Sequence, residues 1–184
     1  MPRFVVLLRG VNVGKGNRVP MAEFRALLEG QGFTEVRTLL NSGNAVFHST
    51  GRSATAHART IGGVLHERLG LSINVVVTSS ADFLAAVAEN RLAPAADQHS
   101  RFLVAFAQEQ AAIDALAALR LMVRAPERLL IGKHAAYLDC AHGILESQVA
   151  SALLGKAGRA VTTRNWATTL KLAALLRARP ARGL

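Results

Sequence analysis

Apolar and polar positions recur along the chain in two periods, and these periods predict where strands and helices lie. The unbroken apolar run from Phe4 to Leu8 is typical of a strand that is buried on both faces. Pro20 then suits the first turn of a helix, and Gly30 and Gly32 suit its end. The apolar residues between them have helical spacing: Met21, Phe24, Leu27 and Leu28. The chain is therefore expected to begin with a strand, a glycine-rich loop and a helix.

The rest of the chain yields two series of elements, separated by the polar, Pro94-containing stretch 91–100, which is the best linker candidate. Before it we expect strands at 35–40 and 44–48 joined as a hairpin by the turn 41–44, a helix at 53–69, a strand at 73–77 and a helix at 80–90, with Phe83, Leu84, Val87 and Ala88 facing inward. After it we expect a strand at 101–107, a helix at 110–119, a hairpin of strands 129–131 and 135–139, a helix at 145–154, a short strand at 161–163 and a last helix from 166 to about 177.

Both series have the order βαββαβ or close to it, which is the order of the split-βαβ or ferredoxin-like fold. We therefore predict an α+β protein of two ferredoxin-like (α/β-plait) subdomains with mainly antiparallel sheets. The predicted subdomains are residues 1–95 and residues 96–184, the second of which includes the terminal helix. Such a fold is expected to place the loop after the first strand and the first hairpin at different ends or edges of the sheet.

Composition narrows the class of protein without identifying a reaction. The 184 residues are 51% hydrophobic and carry a formal charge of +10, which would favour phosphate-rich partners. The positive charge is scattered, however, and only Arg177, Arg179 and Arg182 cluster. No apolar run is long enough to cross a bilayer, and no signal peptide is recognisable, so we expect a cytoplasmic protein without a membrane partner. The single cysteine excludes an internal disulfide.

The loop after the first strand is the first candidate site. Its residues do not complete a P-loop, because Gly16 follows Lys15 where a hydroxyl residue is required, and they do not complete a dinucleotide-binding fingerprint. Exposed amides and polar side chains nevertheless suit an anion or a polar small molecule. The residues concerned are Arg9, Gly10, Asn12, Gly14, Lys15, Asn17 and Arg18. The alternative is that the glycines only make the turn while the asparagines hold the loop by local hydrogen bonds.

The start of the last helix is the second candidate. Thr163 or Asn165 can cap the helix, Arg164 adds a charge beside its positive end, and Trp166 could stack on a ring. The alternative is a plain cap above a buried stripe that contains Trp166. No other catalytic group stands out, because the six histidines lack metal-ligand spacing, Cys140 and His142 need distant ligands to hold zinc, and Ser42 follows no nucleophile elbow. We therefore predict neither a metal nor a cofactor, and leave open whether the protein is an enzyme.

Three segments together resemble a known bacterial family, the Domain of Unknown Function 1697 family. They are residues 7–14 with Val19-Pro20-Met21, residues 32–47 with Ser42-Gly43-Asn44, and Thr163-Arg164-Asn165-Trp166 with Thr168 and Lys171-Leu172. The resemblance implies two ferredoxin-like parts and no established activity. The chain departs from the family pattern at Gly14-Lys15-Gly16-Asn17, at Asn41 and at Ser147-Gln148, where the family often has Ser-Lys.

These observations lead to one hypothesis and two alternatives. The hypothesis is that both loops and the 41–44 turn form one pocket for an anionic or polar small molecule. The expected ligand-binding residues are Arg9, Gly10, Asn12, Gly14, Lys15, Asn17, Ser42, Asn44, Arg164, Asn165, Trp166, Thr168 and Lys171. The alternatives are a sequence-independent nucleic-acid binding module, which would use the scattered arginines, and a protein-interaction or regulatory module, which would use its sheet edges. The sequence does not determine the oligomeric state.

Overall fold

The computed structural model describes residues 1–178, so Arg179 and Arg182 of the predicted basic cluster lie outside the described residues. The elements follow one another as β1 (Arg3–Leu8), α1 (Met21–Gly30), β2 (Thr34–Leu39), β3 (Asn44–His48), α2 (Ala54–Leu69), β4 (Val75–Ser79), α3 (Ser80–Glu89), β5 (Phe102–Ala107), α4 (Gln110–Ala115), β6 (Arg128–Ile131), β7 (Ala136–Asp139), α5 (Gln148–Leu154), β8 (Val161–Asn165) and α6 (Trp166–Arg177). Two 3₁₀ helices, Ala96–Arg101 and Leu116–Met122, lie between them.

The first four strands form an antiparallel sheet in the order β2-β3-β1-β4. This is the strand order of the ferredoxin-like fold, and it places β1 in the interior of the sheet, as its unbroken apolar run predicts. One face of this sheet packs against α1 and α2. The core contains Phe4, Val6 and Leu8 from β1, Phe24 and Leu28 from α1, and Ile61 and Leu65 from α2.

The second four strands repeat the arrangement in the order β6-β7-β5-β8, again with antiparallel neighbours. Its core joins Leu103 and Ala105 of β5 to Ile113 of α4 and to Val149 and Leu153 of α5. The predicted α+β fold with two ferredoxin-like sheets is therefore confirmed.

The expectation that the loop after β1 and the first hairpin lie apart is wrong. Because β3 runs antiparallel to β1, Leu7 near the end of β1 pairs with Asn44 at the start of β3. The backbone N–H of Leu8 donates to the carbonyl oxygen of Gly43 over 2.9 Å. The hairpin turn and the loop therefore meet at the same end of the first sheet.

Several predicted element boundaries, and one predicted buried residue, also need correction. The predicted helix 145–154 begins only at Gln148, because the Ser147 hydroxyl accepts the N–H of Ala150 at 3.0 Å and caps the helix there. The predicted helix 110–119 is α-helical only to Ala115 and continues as a 3₁₀ helix. In α3 the buried alanine is Ala86, whereas Ala88 is exposed. The predicted linker ends in the first 3₁₀ helix, and β4 begins two residues later than expected and ends at Ser79.

Contacts divide the chain into two compact units. The first unit is Met1–Phe83 together with the chain from Lys171 onward, and the second unit is Leu84–Leu170. The two sheets fall on either side of residue 95, although the units divide within α3 and α6. The predicted subdomain boundaries, residues 1–95 and 96–184, stay a prediction. None of the helices in residues 1–178 is both long enough and apolar enough to cross a lipid bilayer.

Candidate functional site

The side chain of Asn12 holds the loop after β1 in place and ties it to the first hairpin. Its Oδ1 accepts the backbone N–H of Val19 over 2.9 Å, while its Nδ2 donates to the carbonyl oxygen of Val19 over 2.8 Å. The same Nδ2 also donates to the carbonyl oxygen of Asn41 over 2.6 Å. The amide therefore pairs with Val19 as a neighbouring strand would, and it fixes the hairpin turn beside the loop.

The backbone of this loop is left-handed at every second residue from Gly10 to Gly14. The φ angles are +64° at Gly10, +56° at Asn12 and +59° at Gly14. Asn17 also has positive φ, at +38°, and its Nδ2 approaches the carbonyl oxygen of Gly10 at 3.4 Å. Glycine and asparagine are the residues that adopt this conformation most readily. The alternative interpretation, in which the glycines make the turn and the asparagines hold the loop, therefore accounts for Gly10, Asn12, Gly14 and Asn17.

The cations of the loop differ in exposure. Lys15 and Arg18 are exposed, whereas Arg9 is half-buried at the end of β1, where its backbone N–H donates to the carbonyl oxygen of Asn74 at 3.0 Å. Partial burial lowers the pKa of the Arg9 guanidinium. Arg18 and Lys15 are thus the loop cations that a solute reaches directly.

In the hairpin turn, the predicted site residues Ser42 and Asn44 contact each other, and Asn44 also contacts the backbone. Asn44 is fully buried, and its Nδ2 donates to the carbonyl oxygen of Leu39 and to the Ser42 hydroxyl, each over 3.0 Å. Gly43 has φ +72° and lies against Leu8 and Val11. These residues position the turn, and Asn41 is the turn residue that faces the loop.

A pocket of about 440 Å³ opens where the loop, the hairpin turn and the start of α1 meet. Its lining consists of Asn12, Gly14, Arg18, Val19, Pro20, Met21 and Asn41. Two of the predicted ligand-binding residues, Asn12 and Gly14, are among them. Arg18 was named with the loop and Asn41 with the 41–44 turn, but neither was among the predicted ligand-binding residues, and Val19, Pro20 and Met21 were missed. The antiparallel pairing of β1 with β3 was a signal that could have located Asn41.

The second candidate motif lies at the junction of β8 and α6. Arg164 is only 7% exposed, and its guanidinium donates to the Thr162 hydroxyl at 2.9 Å and to the carbonyl oxygen of Thr163 at 2.7 Å. Burial lowers its pKa to about 10. Asn165 makes the predicted cap, because its Oδ1 accepts the backbone N–H of Thr168 at 2.8 Å.

Trp166 is buried and packs edge-on against Phe102 of β5, with ring centroids 5.7 Å apart. This contact favours the packing interpretation of the tryptophan over stacking on a ligand. Thr168 is buried as well, whereas Lys171 is exposed. Arg164 to Thr168 belong to the second unit, and the loop and hairpin belong to the first. That both motifs share one pocket stays a prediction.

A polar cluster that no sequence pattern indicates surrounds Glu89, at the end of α3. The Glu89 carboxylate accepts the backbone N–H groups of Lys133, His134 and Ala135 at 2.8–3.2 Å, and it also contacts His134 Nδ1 at 3.0 Å and the Tyr137 hydroxyl at 2.8 Å. These hydrogen bonds outweigh desolvation, so the pKa of Glu89 is lowered. Desolvation and the nearby carboxylate raise the pKa of Tyr137. Because the partners lie 44 to 48 residues apart, no local pattern reveals the cluster.

Other reactive groups are few in the part of the chain that the structure describes. Within residues 1–178 no group of three or more His, Cys, Asp or Glu side chains could hold a metal ion. Burial raises the pKa of the Cys140 thiol to about 11, which disfavours the reactive thiolate.

Comparisons with known proteins point to a single family. The profile of the family described as "Protein of unknown function (DUF1697)" matches residues 1–137. Among solved structures, a conserved bacterial protein, SP0830 from Streptococcus pneumoniae, superimposes with a TM-score of 0.78 at 26% sequence identity. The match covers 96% of this chain and 99% of that protein. A comparison with curated proteins gives no match.

Proposed function

Since the chain belongs to the DUF1697 family, whose function is unknown, we propose from its own geometry that it binds an anionic small molecule in the pocket formed by Asn12, Arg18 and Asn41. The observation that carries this proposal is the pocket itself. It lies at the end of the first sheet where a loop, a hairpin turn and a helix start converge, and its volume of about 440 Å³ is in the usual range for small-molecule sites.

The charge of the pocket favours an anion. Arg18 is exposed and lines the pocket, and among the described lining residues there is no acidic side chain to compete for it. An arginine can hold a carboxylate or a phosphate by two parallel hydrogen bonds. Arg18 is therefore expected to contribute most to the binding free energy of an anion.

The backbone around the pocket adds hydrogen-bond donors. The backbone N–H groups of Val13, Gly14 and Lys15 have no hydrogen-bond partner among the described residues. Helix α1 begins at Met21 behind Pro20, and no side chain caps its first N–H groups. Free amides at a helix start and in a loop of alternating backbone handedness both attract negative charge.

Asn12 has a different role from Arg18 in this proposal. Its amide is engaged by Val19 and by the carbonyl oxygen of Asn41, so it shapes the pocket wall. Asn41 and Asn12 are both exposed, but the Asn12 amide is held by hydrogen bonds, so the Asn41 side chain is the amide more accessible to a ligand. That Arg9, Lys15 and the Arg164–Thr168 segment also bind the anion stays a prediction from the sequence.

The test is a binding screen of phosphorylated and carboxylated metabolites, read as a thermal shift and confirmed by calorimetry. A ligand at 100 times its Kd should stabilise the protein by about 2.7 kcal/mol. Arg18→Gln should weaken binding at least tenfold, because a hydrogen bond to a charged group contributes about 1.5–3 kcal/mol. The matched control is Arg120→Gln, since Arg120 is exposed and lies in the 3₁₀ helix of the second unit.

Two results would overturn the proposal. One is that no anion in the panel stabilises the wild type. The other is that Arg18→Gln and Arg120→Gln weaken binding equally. Binding of single- or double-stranded nucleic acid that falls steeply with salt and ignores Arg18→Gln would instead support the alternative of a nucleic-acid module.

A further inference from the structure

Arg3, at the start of β1, holds the end of helix α6. Its Nη1 donates to the carbonyl oxygen of Leu176 over 2.6 Å and to that of Ala178 over 3.0 Å. The last carbonyl groups of a helix lack partners within the helix, and a cation there is also favoured by the helix dipole. We call these contacts the Arg3 clamp. It joins residues 173 and 175 positions apart within the first unit.

The clamp depends on a histidine from the neighbouring strand. His48, the last residue of β3, pairs with Arg3 in the β1–β3 ladder, and its Nε2 accepts the Nε–H of Arg3 over 2.7 Å. An imidazole nitrogen accepts a hydrogen bond only when it carries no proton. The neutral ring therefore orients the guanidinium with its Nη1 towards α6.

The charged groups facing His48 come from three parts of the first unit. Arg3 lies on β1, Glu35 and Arg37 lie on β2, and the α-amino group of Met1 is nearby. Arg3, Arg37 and the α-amino group oppose protonation of the ring, and among the charged groups of residues 1–178 only Glu35 favours it. Leu175 of α6 and Ala178, which follows the helix, line the small cavity here and are uncharged.

We propose that His48 is a pH-sensitive latch, which holds the end of α6 through Arg3 when it is neutral and releases it when it is protonated. Protonation turns Nε2 from an acceptor into a donor and places an imidazolium directly against a guanidinium. Arg3 then has to move away from His48, and the carbonyl groups of Leu176 and Ala178 lose their donor. The last turn of α6 should therefore open more often.

The pH range follows from the environment of the ring. Burial, followed by the charge of Arg3, lowers the pKa of His48 from the ordinary value of 6.5. The latch is accordingly closed above pH 6.5. It opens as the pH falls through the lowered pKa, because the ring then gains its proton in the folded protein.

The direct test measures hydrogen exchange of the Ala178 amide in the full-length protein between pH 8 and pH 5. This amide donates to the carbonyl oxygen of Ala174 in the last turn of α6. After correction for the intrinsic exchange rate, its protection should stay constant above pH 6.5 and fall about tenfold at low pH, the effect of losing one hydrogen bond to a charged group.

Three variants separate the latch from general acid sensitivity. His48→Gln retains an acceptor that does not titrate, so the low-pH loss of protection should disappear. Arg3→Gln should reduce protection at every pH. His66→Gln, which changes an exposed histidine on α2, should behave as the wild type.

The proposal is overturned if Ala178 in the wild type is equally protected at pH 8 and pH 5, or if His48→Gln still loses protection in acid. An NMR titration of the His48 ring in the wild type gives an independent check that needs no variant. A pKa at or above 6.5 would contradict the latch, and a lower one would support it.

Discussion

Replacing Gly43 by alanine should destabilise the first unit more than the loss of any other single turn glycine near the pocket. Gly43 combines φ +72° with close packing, since an added Cβ would lie 2.6 Å from Leu8 Cβ and 2.7 Å from Val11 Cγ2. Both neighbours are almost fully buried in the first core. They cannot move aside without displacing β1 or the loop that follows it.

The expected cost has two parts. A left-handed backbone costs a residue with a Cβ about 1–2 kcal/mol. Overpacking a well-filled core costs about 1–3 kcal/mol more. The sum is about 2–5 kcal/mol, which for a chain of this length corresponds to a fall in Tm of roughly 4–20 °C.

The assay is urea unfolding followed by circular dichroism, with Gly14→Ala as the matched control. Gly14 also has positive φ, at +59°, but a Cβ there would meet nothing within 4 Å. The control should therefore lose only the backbone part, about 1–2 kcal/mol. If Gly43→Ala were no less stable than Gly14→Ala, the close approach of the hairpin to β1 and the loop would not be the cause.

Three further predictions concern stability. Tyr137→Phe removes the hydroxyl shared between Glu89 and the carbonyl oxygen of Ala86 and should cost about 1–3 kcal/mol in urea unfolding; an unchanged midpoint would contradict it. Glu89→Gln should reduce the loss of unfolding free energy between neutral and acidic pH. The reason is that a carboxyl group with a lowered pKa stabilises the fold above pH 4.5 and loses this effect as the pH falls through the lowered value. A steeper loss in acid would refute this. Gly63→Ala, in open space within α2, should raise stability by about 0.5–1 kcal/mol in the same assay; a loss would indicate an unseen contact.

The fold was predictable because its signals are local. The apolar run of β1, the proline before α1 and the turn 41–44 each have a short-range physical cause, and their order identifies the ferredoxin-like topology. The errors occur where one hydrogen bond decides a boundary. Ser147 caps α5, which begins three residues after the predicted start, and apolar spacing alone does not show which polar residue will act as the cap.

The candidate site was predictable only in part, because pockets depend on contacts between distant residues. The loop residues Asn12 and Gly14 stand out in the sequence, but Asn41 joins them through a hydrogen bond that spans 29 positions. The Arg3 clamp and the Glu89 cluster bring together residues that are still farther apart. A strand register has to be known before such partners can be paired.

The structure also changes which arginine matters most for the proposed chemistry. Arg9 and Arg164 are the arginines among the predicted ligand-binding residues, yet the Arg164 guanidinium is buried and already donates to Thr162 and Thr163. An anion that reached it would have to compete with these bonds and enter a region from which water is largely excluded. Arg18 lines a pocket, is exposed and has no acidic side chain beside it among the described lining residues. A test of ligand binding should therefore begin with Arg18, and an effect of Arg164→Gln on the same affinity would then be specific support for one site shared by both motifs.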